Sequence, residues 1–153
     1  EEKPRGKQAA SDIVHRFEML RIATEEYDSL QVEILPQKTF TTSQTLPYLQ
    51  QKYFGAELTL LIGSDIVRTF SYDWPDLGFL LSSVELAVGL RGQDSEEEVL
   101  QMLIQTGFDP RFKIIKSAHA DISSTKIRDG GVDGAHCKVF DYIKSKRLYK
   151  AEN

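Results

Sequence analysis

The residues best suited to chemistry lie in Asp121-Ile-Ser-Ser-Thr-Lys-Ile-Arg128, closed by Asp129, Gly130 and Gly131. Hydroxyls, the start of a helix and two cations fall together there, which reads as a grip for phosphate. Ser123 or Ser124 is suited to an N-cap, so free backbone N–H groups, hydroxyl donors and the positive end of a short helix converge on one spot. On a helix that begins near Ser124, Thr125 and Arg128 are three apart and share a face, whereas Lys126 points elsewhere. Arg128 therefore ranks above Lys126. The same octapeptide also reads as an ordinary capped helix with a solvated basic residue. Two further turns, Gly63-Ser-Asp65 and Arg91-Gly92, carry groups of the same kind and each follows an apolar run.

Strands and helices must alternate to bring these turns together. Ser11 is placed to cap a helix in which Ile13, Phe17 and Leu20 follow helical spacing, fading near Tyr27. Leu30 to Leu35 alternates as a strand does and stops at Pro36. A second helix is predicted from about Thr45 to Tyr53, with Pro47 in its first turn and Gly55 after its end. Glu57 to Ile62 reads as a buried parallel strand, and Val84 to Leu90 and Phe112 to Ile115 as two more. Helical segments are expected around Ile66 to Phe70 and Pro75 to Ser83. After Asp94 or Ser95 as cap, another places Val99, Leu100, Leu103 and Ile104 on one stripe. A last helix runs from about Ala135 to Arg147.

This alternation predicts an α/β fold, a Rossmann-like parallel sheet with helices on both faces and right-handed crossovers. Ligands of such sheets bind beyond the carboxyl ends of the strands. All three turns should therefore crowd one rim.

The chain has 153 residues and 41% hydrophobic content, enough for one domain with a real core. A net charge of -4 argues against coating nucleic acid, which calls for a broad positive face. A small phosphorylated ligand held by a local cluster is compatible with it. The single cysteine, Cys137, has no internal disulfide partner, and no Cys/His spacing resembles a zinc site. That cysteine usage makes a reducing, cytoplasmic setting the default expectation, and with no apolar run of membrane-spanning length and no signal-peptide pattern the chain is expected to be soluble.

The order and spacing of the rim segments resemble the nucleotidyltransferase superfamily, and within it the nicotinate-mononucleotide adenylyltransferases of bacterial NAD synthesis. Ser11-Asp-Ile-Val-His-Arg-Phe-Glu-Met-Leu20 resembles the helix after the second strand of that family, and Thr42-Ser-Gln-Thr-Leu46 its Thr-x-Asp-Thr-Leu turn. Gly63-Ser-Asp65 follows, Trp74 stands at the tryptophan position, and Arg91-Gly92 resembles the Arg-Pro-Gly turn. Ile122-Ser-Ser-Thr-Lys-Ile-Arg128 matches the second signature, and Tyr142-Ile143 with Leu148-Tyr149 resembles the C-terminal helix and its ending.

The resemblance implies a reaction in which a mononucleotide phosphate attacks the α-phosphate of ATP, giving a dinucleotide and pyrophosphate. It implies that Ser123, Ser124, Thr125 and Arg128 hold the ATP phosphates, with Arg128 neutralising charge on the leaving pyrophosphate. It further implies that Gly63 lets nucleotide approach the backbone, that Asp65 accepts hydrogen bonds from a ribose or neighbouring donor, and that Trp74 stacks on the pyridine ring. Thr42 would contact the pyridine carboxylate or amide, and Lys7 and Arg91 are further substrate-side candidates. Mg2+ would arrive with ATP, held mainly by its phosphates.

Two departures from the family pattern are visible. Gln44 stands where the family usually has Asp, and the paired-histidine motif His-x-Gly-His is not in this sequence, where His15, His119 and His136 are isolated. The N-terminal strand-helix-strand unit that carries the motif is likewise unaccounted for. A fragment of a longer enzyme, a degenerate relative that binds nucleotide without turnover, and a sheet completed by another chain or a second copy each explain this. A non-catalytic nucleotide-binding or oligomerisation module is thus the alternative to an adenylyltransferase.

Overall fold

The computed structural model describes residues 11–72, 74–92, 94–116, 127 and 136–149. The chain divides into two compact units: Thr41–Asp121, and a second built from the described residues on either side of it.

In the first unit the three predicted strands form one parallel sheet, β1 (Thr59–Gly63), β2 (Glu85–Gly89) and β3 (Phe112–Ile115), in the order β1-β2-β3. The α/β class read from the sequence is borne out, with helices between the strands. Leu86, Ala87 and Val88 of β2 are buried, as the middle strand of a covered sheet requires. β1 departs from expectation. Its neighbour among the described residues is β2 on one side, and Leu61 is 69% exposed, so the strand is half-buried rather than buried.

The helices of this unit carry the rest of the core. Helix α2 (Thr42–Lys52), with Leu46 buried, packs on α4 (Leu77–Ser83), whose Leu77, Leu80 and Leu81 are buried at the spacing one helical face dictates. Burying each such leucine or valine contributes roughly 1.5–3 kcal/mol. The short α3 (Ser64–Val67) leaves β1 without a linker. Helix α5 (Glu96–Gln105) buries Val99 and Leu103, whereas Leu100 and Ile104 stay exposed, so the inward stripe is narrower than expected. Ser95 is the cap of α5, in a full capping box: its hydroxyl accepts from the Glu98 N–H, and the Glu98 carboxylate accepts from the Ser95 N–H.

Helix α2 begins three residues before the expected start. Thr41 takes the N-cap position, and its N–H donates to Thr45 Oγ1 at 3.1 Å. Pro47 consequently lies beyond the first turn. Its missing N–H leaves the Ser43 carbonyl without a helical donor, a loss that water can make good because Ser43 is exposed.

The second unit pairs α1 (Ile13–Thr24) with α6 (Cys137–Ser145). His15 Nδ1 meets Tyr142 Oη at 2.9 Å, and Lys138 donates to the carboxylates of Glu25 and Glu26. Ser11 does not cap α1. Asp12 occupies that position, and Ser11 Oγ lies 3.1 Å from Tyr149 Oη instead. The strand expected over Leu30 to Leu35 is not formed: those residues are irregular, and Leu30 and Ile34 are exposed. Alternation alone makes no strand where no neighbouring strand supplies hydrogen bonds. Among the described residues no helix is long and apolar enough to cross a membrane.

Candidate functional site

Parallel pairing in register decides where the strands end. Gly63 pairs with Gly89, and Gly89 with Ile115, so the three carboxyl ends form one row. Two of the three turns expected on this rim meet there. Arg91 Nε lies 3.0 Å from Asp65 Oδ1, which joins the exit of β1 to the exit of β2.

This pair lies directly over Gly63. A Cβ built on Gly63 would stand 2.6 Å from Arg91 Nε and nearer still to Asp65 Oδ1. Gly63 itself has an unstrained extended backbone, φ -83° and ψ 156°, so glycine is needed there for room rather than for conformation. Close approach to the strand end is the property read for Gly63 from the sequence, and in this structure the approaching group is an ion pair from its own neighbours.

Ser64 is the residue sequence reasoning missed. It is completely buried, and its Oγ accepts the Arg91 N–H at 3.0 Å. The available signal was position: a small hydroxyl directly after a strand-terminal glycine can satisfy a backbone donor of the adjacent strand exit. Asp94, read as an alternative cap for α5, has a different partner. It forms an ion pair with Arg68, the residue just after α3.

Thr42 and Trp74 are also brought together. The indole N–H of Trp74 donates to Thr42 Oγ1 at 3.2 Å, and the ring meets buried Phe70 edge to face, with centroids 5.2 Å apart. One edge of Trp74 is thus packed, while the residue is only part-buried. Thr42 is buried, and a hydroxyl that accepts from Trp74 keeps its own hydrogen to donate. Lys7, Ser123, Ser124, Thr125 and Arg128 lie outside the described residues. No group of three or more His, Cys, Asp or Glu side chains suited to a metal ion occurs among the described residues.

Solved structures define the class of fold. The chain superposes on a nicotinic acid mononucleotide adenylyltransferase of Plasmodium falciparum solved with NaAD, with a TM-score of 0.71 at 17% identity over 95% of this chain and 78% of that one. The same enzyme solved with APC gives 0.67 at 18% identity. The family model described as cytidylyltransferase-like matches residues 2–130, and the chain belongs to that family. Among curated relatives, the probable nicotinate-nucleotide adenylyltransferase of Flavobacterium johnsoniae is 29% identical over 94% of this chain and 76% of its own length. That of Neisseria meningitidis serogroup A is 29% identical over 96% and 79%. The resemblance read from the sequence motifs is borne out at the level of family.

Proposed function

We propose that this chain transfers the adenylyl group of ATP to nicotinate mononucleotide, or to its nicotinamide counterpart, in NAD biosynthesis. A phosphate oxygen of the mononucleotide attacks the α-phosphorus of ATP; the bond from that phosphorus to the bridging oxygen breaks, and pyrophosphate leaves with the electron pair. Two anions must be brought into contact, so catalysis is positioning plus fixed positive charge. The observation that carries the proposal is the meeting of Gly63, Asp65 and Arg91 at the paired ends of β1 and β2, in a chain whose curated relatives are named nicotinate-nucleotide adenylyltransferases.

Each residue has a task on this reading. Gly63 leaves the strand end open to the nucleotide once the Asp65–Arg91 pair gives way, and Asp65 then accepts from a ribose hydroxyl. The guanidinium of Arg91 serves the mononucleotide phosphate through its fork of donors, and Lys7 adds charge on that side. Trp74 offers its ring to the pyridine, held on edge by Thr42 and Phe70, while the Thr42 hydroxyl donates to the pyridine carboxylate or amide oxygen. Ser123, Ser124, Thr125 and Arg128 take the ATP phosphates, with Thr125 and Arg128 at the reacting phosphoryl group. Mg2+ enters with ATP. A single domain over residues 1–153 and a cytoplasmic setting complete the proposal.

A second reading is a nucleotide-binding module without turnover, consistent with His15, a described histidine, being engaged with Tyr142. Thermal unfolding with and without nucleotide tests both. A ligand at one hundred times its Kd stabilises by about 2.7 kcal/mol, which raises Tm by roughly 5–10 °C for a chain of this size. ATP is expected to produce that shift in the native sequence, and Arg128→Ala to abolish it. No shift with either nucleotide overturns both readings. A shift without pyrophosphate release on adding mononucleotide selects the module.

A further inference from the structure

The exits of β1 and β2 are joined by more than the Asp65–Arg91 pair. Arg68, three residues after Asp65, pairs with Asp94, three residues after Arg91. The two segments therefore meet with crossed polarity: acid then base on one, base then acid on the other. A slip of one segment along the other by one step of this pattern would set like charges face to face. The turn between them is closed by the Asp94 N–H donating to the Arg91 carbonyl at 3.1 Å, and Gly92 within it has φ +58°. The Arg91 N–H is held separately by Ser64 Oγ. Arg91 is thus gripped at its amide, at its carbonyl and at the far end of its turn, while its side chain remains at the strand ends.

The two pairs differ in exposure. The side chains of Asp65 and Arg91 are 58% and 55% exposed, as suits groups that must exchange partners with a ligand, whereas that of Asp94 is only 18% exposed. Asp94 is the most shielded carboxylate among the described ion pairs, while its partner Arg68 is 47% exposed, so water and salt reach this pair from the arginine side alone. We infer that Arg68 and Asp94 are positioning residues, which fix the turn that carries Arg91 so that its guanidinium faces the strand ends when the mononucleotide phosphate arrives. The inference rests on the substrate-side role proposed for Arg91, and neither residue touches the nucleotide.

The test uses the full chain with Asp94→Asn, Arg68→Gln and the exchanged pair Arg68→Asp with Asp94→Arg. Amide hydrogen exchange reports the Arg91 N–H without any ligand, and calorimetric titration reports nicotinate mononucleotide and ATP. Each single variant is expected to speed exchange at Arg91 and to weaken mononucleotide about fivefold, with ATP within about twofold, and the exchanged pair to restore most of both. Unaltered exchange at Arg91 overturns the inference. So does faster exchange with unaltered mononucleotide affinity, an equal loss for ATP, or an exchanged pair that behaves like the single variants. Absence of mononucleotide binding in the native sequence sinks the proposed function instead, and the exchange measurement alone then decides whether the pair holds the turn.

Discussion

Replacing Gly63 by alanine separates what the β1 exit does for nucleotide from what it does for folding. The backbone at Gly63, φ -83° and ψ 156°, suits alanine, and removing a glycine from the unfolded ensemble is worth about 0.4–1 kcal/mol of stability. Against this, the new Cβ would lie 2.6 Å from Arg91 Nε and closer to Asp65 Oδ1, so the pair has to move. Both atoms are the ends of flexible, half-exposed side chains, and an exposed pair contributes about 0–1 kcal/mol. The two effects nearly cancel, leaving stability within about 1 kcal/mol of the native sequence, or roughly 4 °C in Tm. Nucleotide binding has no such compensation, because the methyl group and the displaced guanidinium occupy the approach to the strand end. ATP affinity is expected to fall at least about tenfold, equivalent to about 1.4 kcal/mol. Calorimetric titration with ATP and ligand-free thermal unfolding on one preparation measure both. Native-like ATP affinity in the variant would refute the view that nucleotide approaches at Gly63. A Tm lowered by more than about 10 °C would refute the argument that the pair can swing aside.

Three further outcomes are expected. Trp74→Ala should weaken mononucleotide about tenfold while ATP changes little, since base stacking is worth roughly 1–3 kcal/mol; equal losses for both ligands in parallel titrations would assign Trp74 to packing on Phe70 alone. Leu86→Ala, at a fully buried position of the middle strand, should cost about 2–5 kcal/mol in urea unfolding, and a cost below about 1 kcal/mol would mean the sheet is not the core of its unit. The pairing of α1 with α6 should loosen in acid. The hydrogen bond from the Lys138 ammonium, and then its charge, hold the Glu25 carboxyl below the usual carboxylate range. A depressed folded value means that this contribution is complete above the unfolded value of about 4.3 and is lost as pH falls through the lower folded one. Protection of the α6 amides, taken relative to their intrinsic exchange rates, should therefore fall more between pH 6 and pH 3 in the native sequence than in Lys138→Gln, and parallel profiles would remove the pair from that account.

The local sequence was enough wherever the deciding interactions are local. Ser95 and Glu98 make a capping box across three residues, and α5 starts where that pattern says it must. The run Phe112 to Ile115 became β3 with its expected bounds, and the apolar run ending near Leu90 became β2. The glycine, aspartate and arginine of the rim were legible as residue types that suit phosphate chemistry, and the order of the motifs named the family. Partners distant along the chain were not legible. Leu30 to Leu35 has the alternation of a strand and forms none, because strand pairing is conferred by a neighbour that no window of sequence contains. Ser64 is an unremarkable serine until folding buries it against the Arg91 N–H, 27 residues away. The crossed pairing of Asp65 with Arg91 and Arg68 with Asp94 exists because in-register parallel strands end side by side. Short-range hydrogen bonds and apolar spacing thus set the elements and the candidate residues, whereas the register of the sheet decided which charges meet over Gly63.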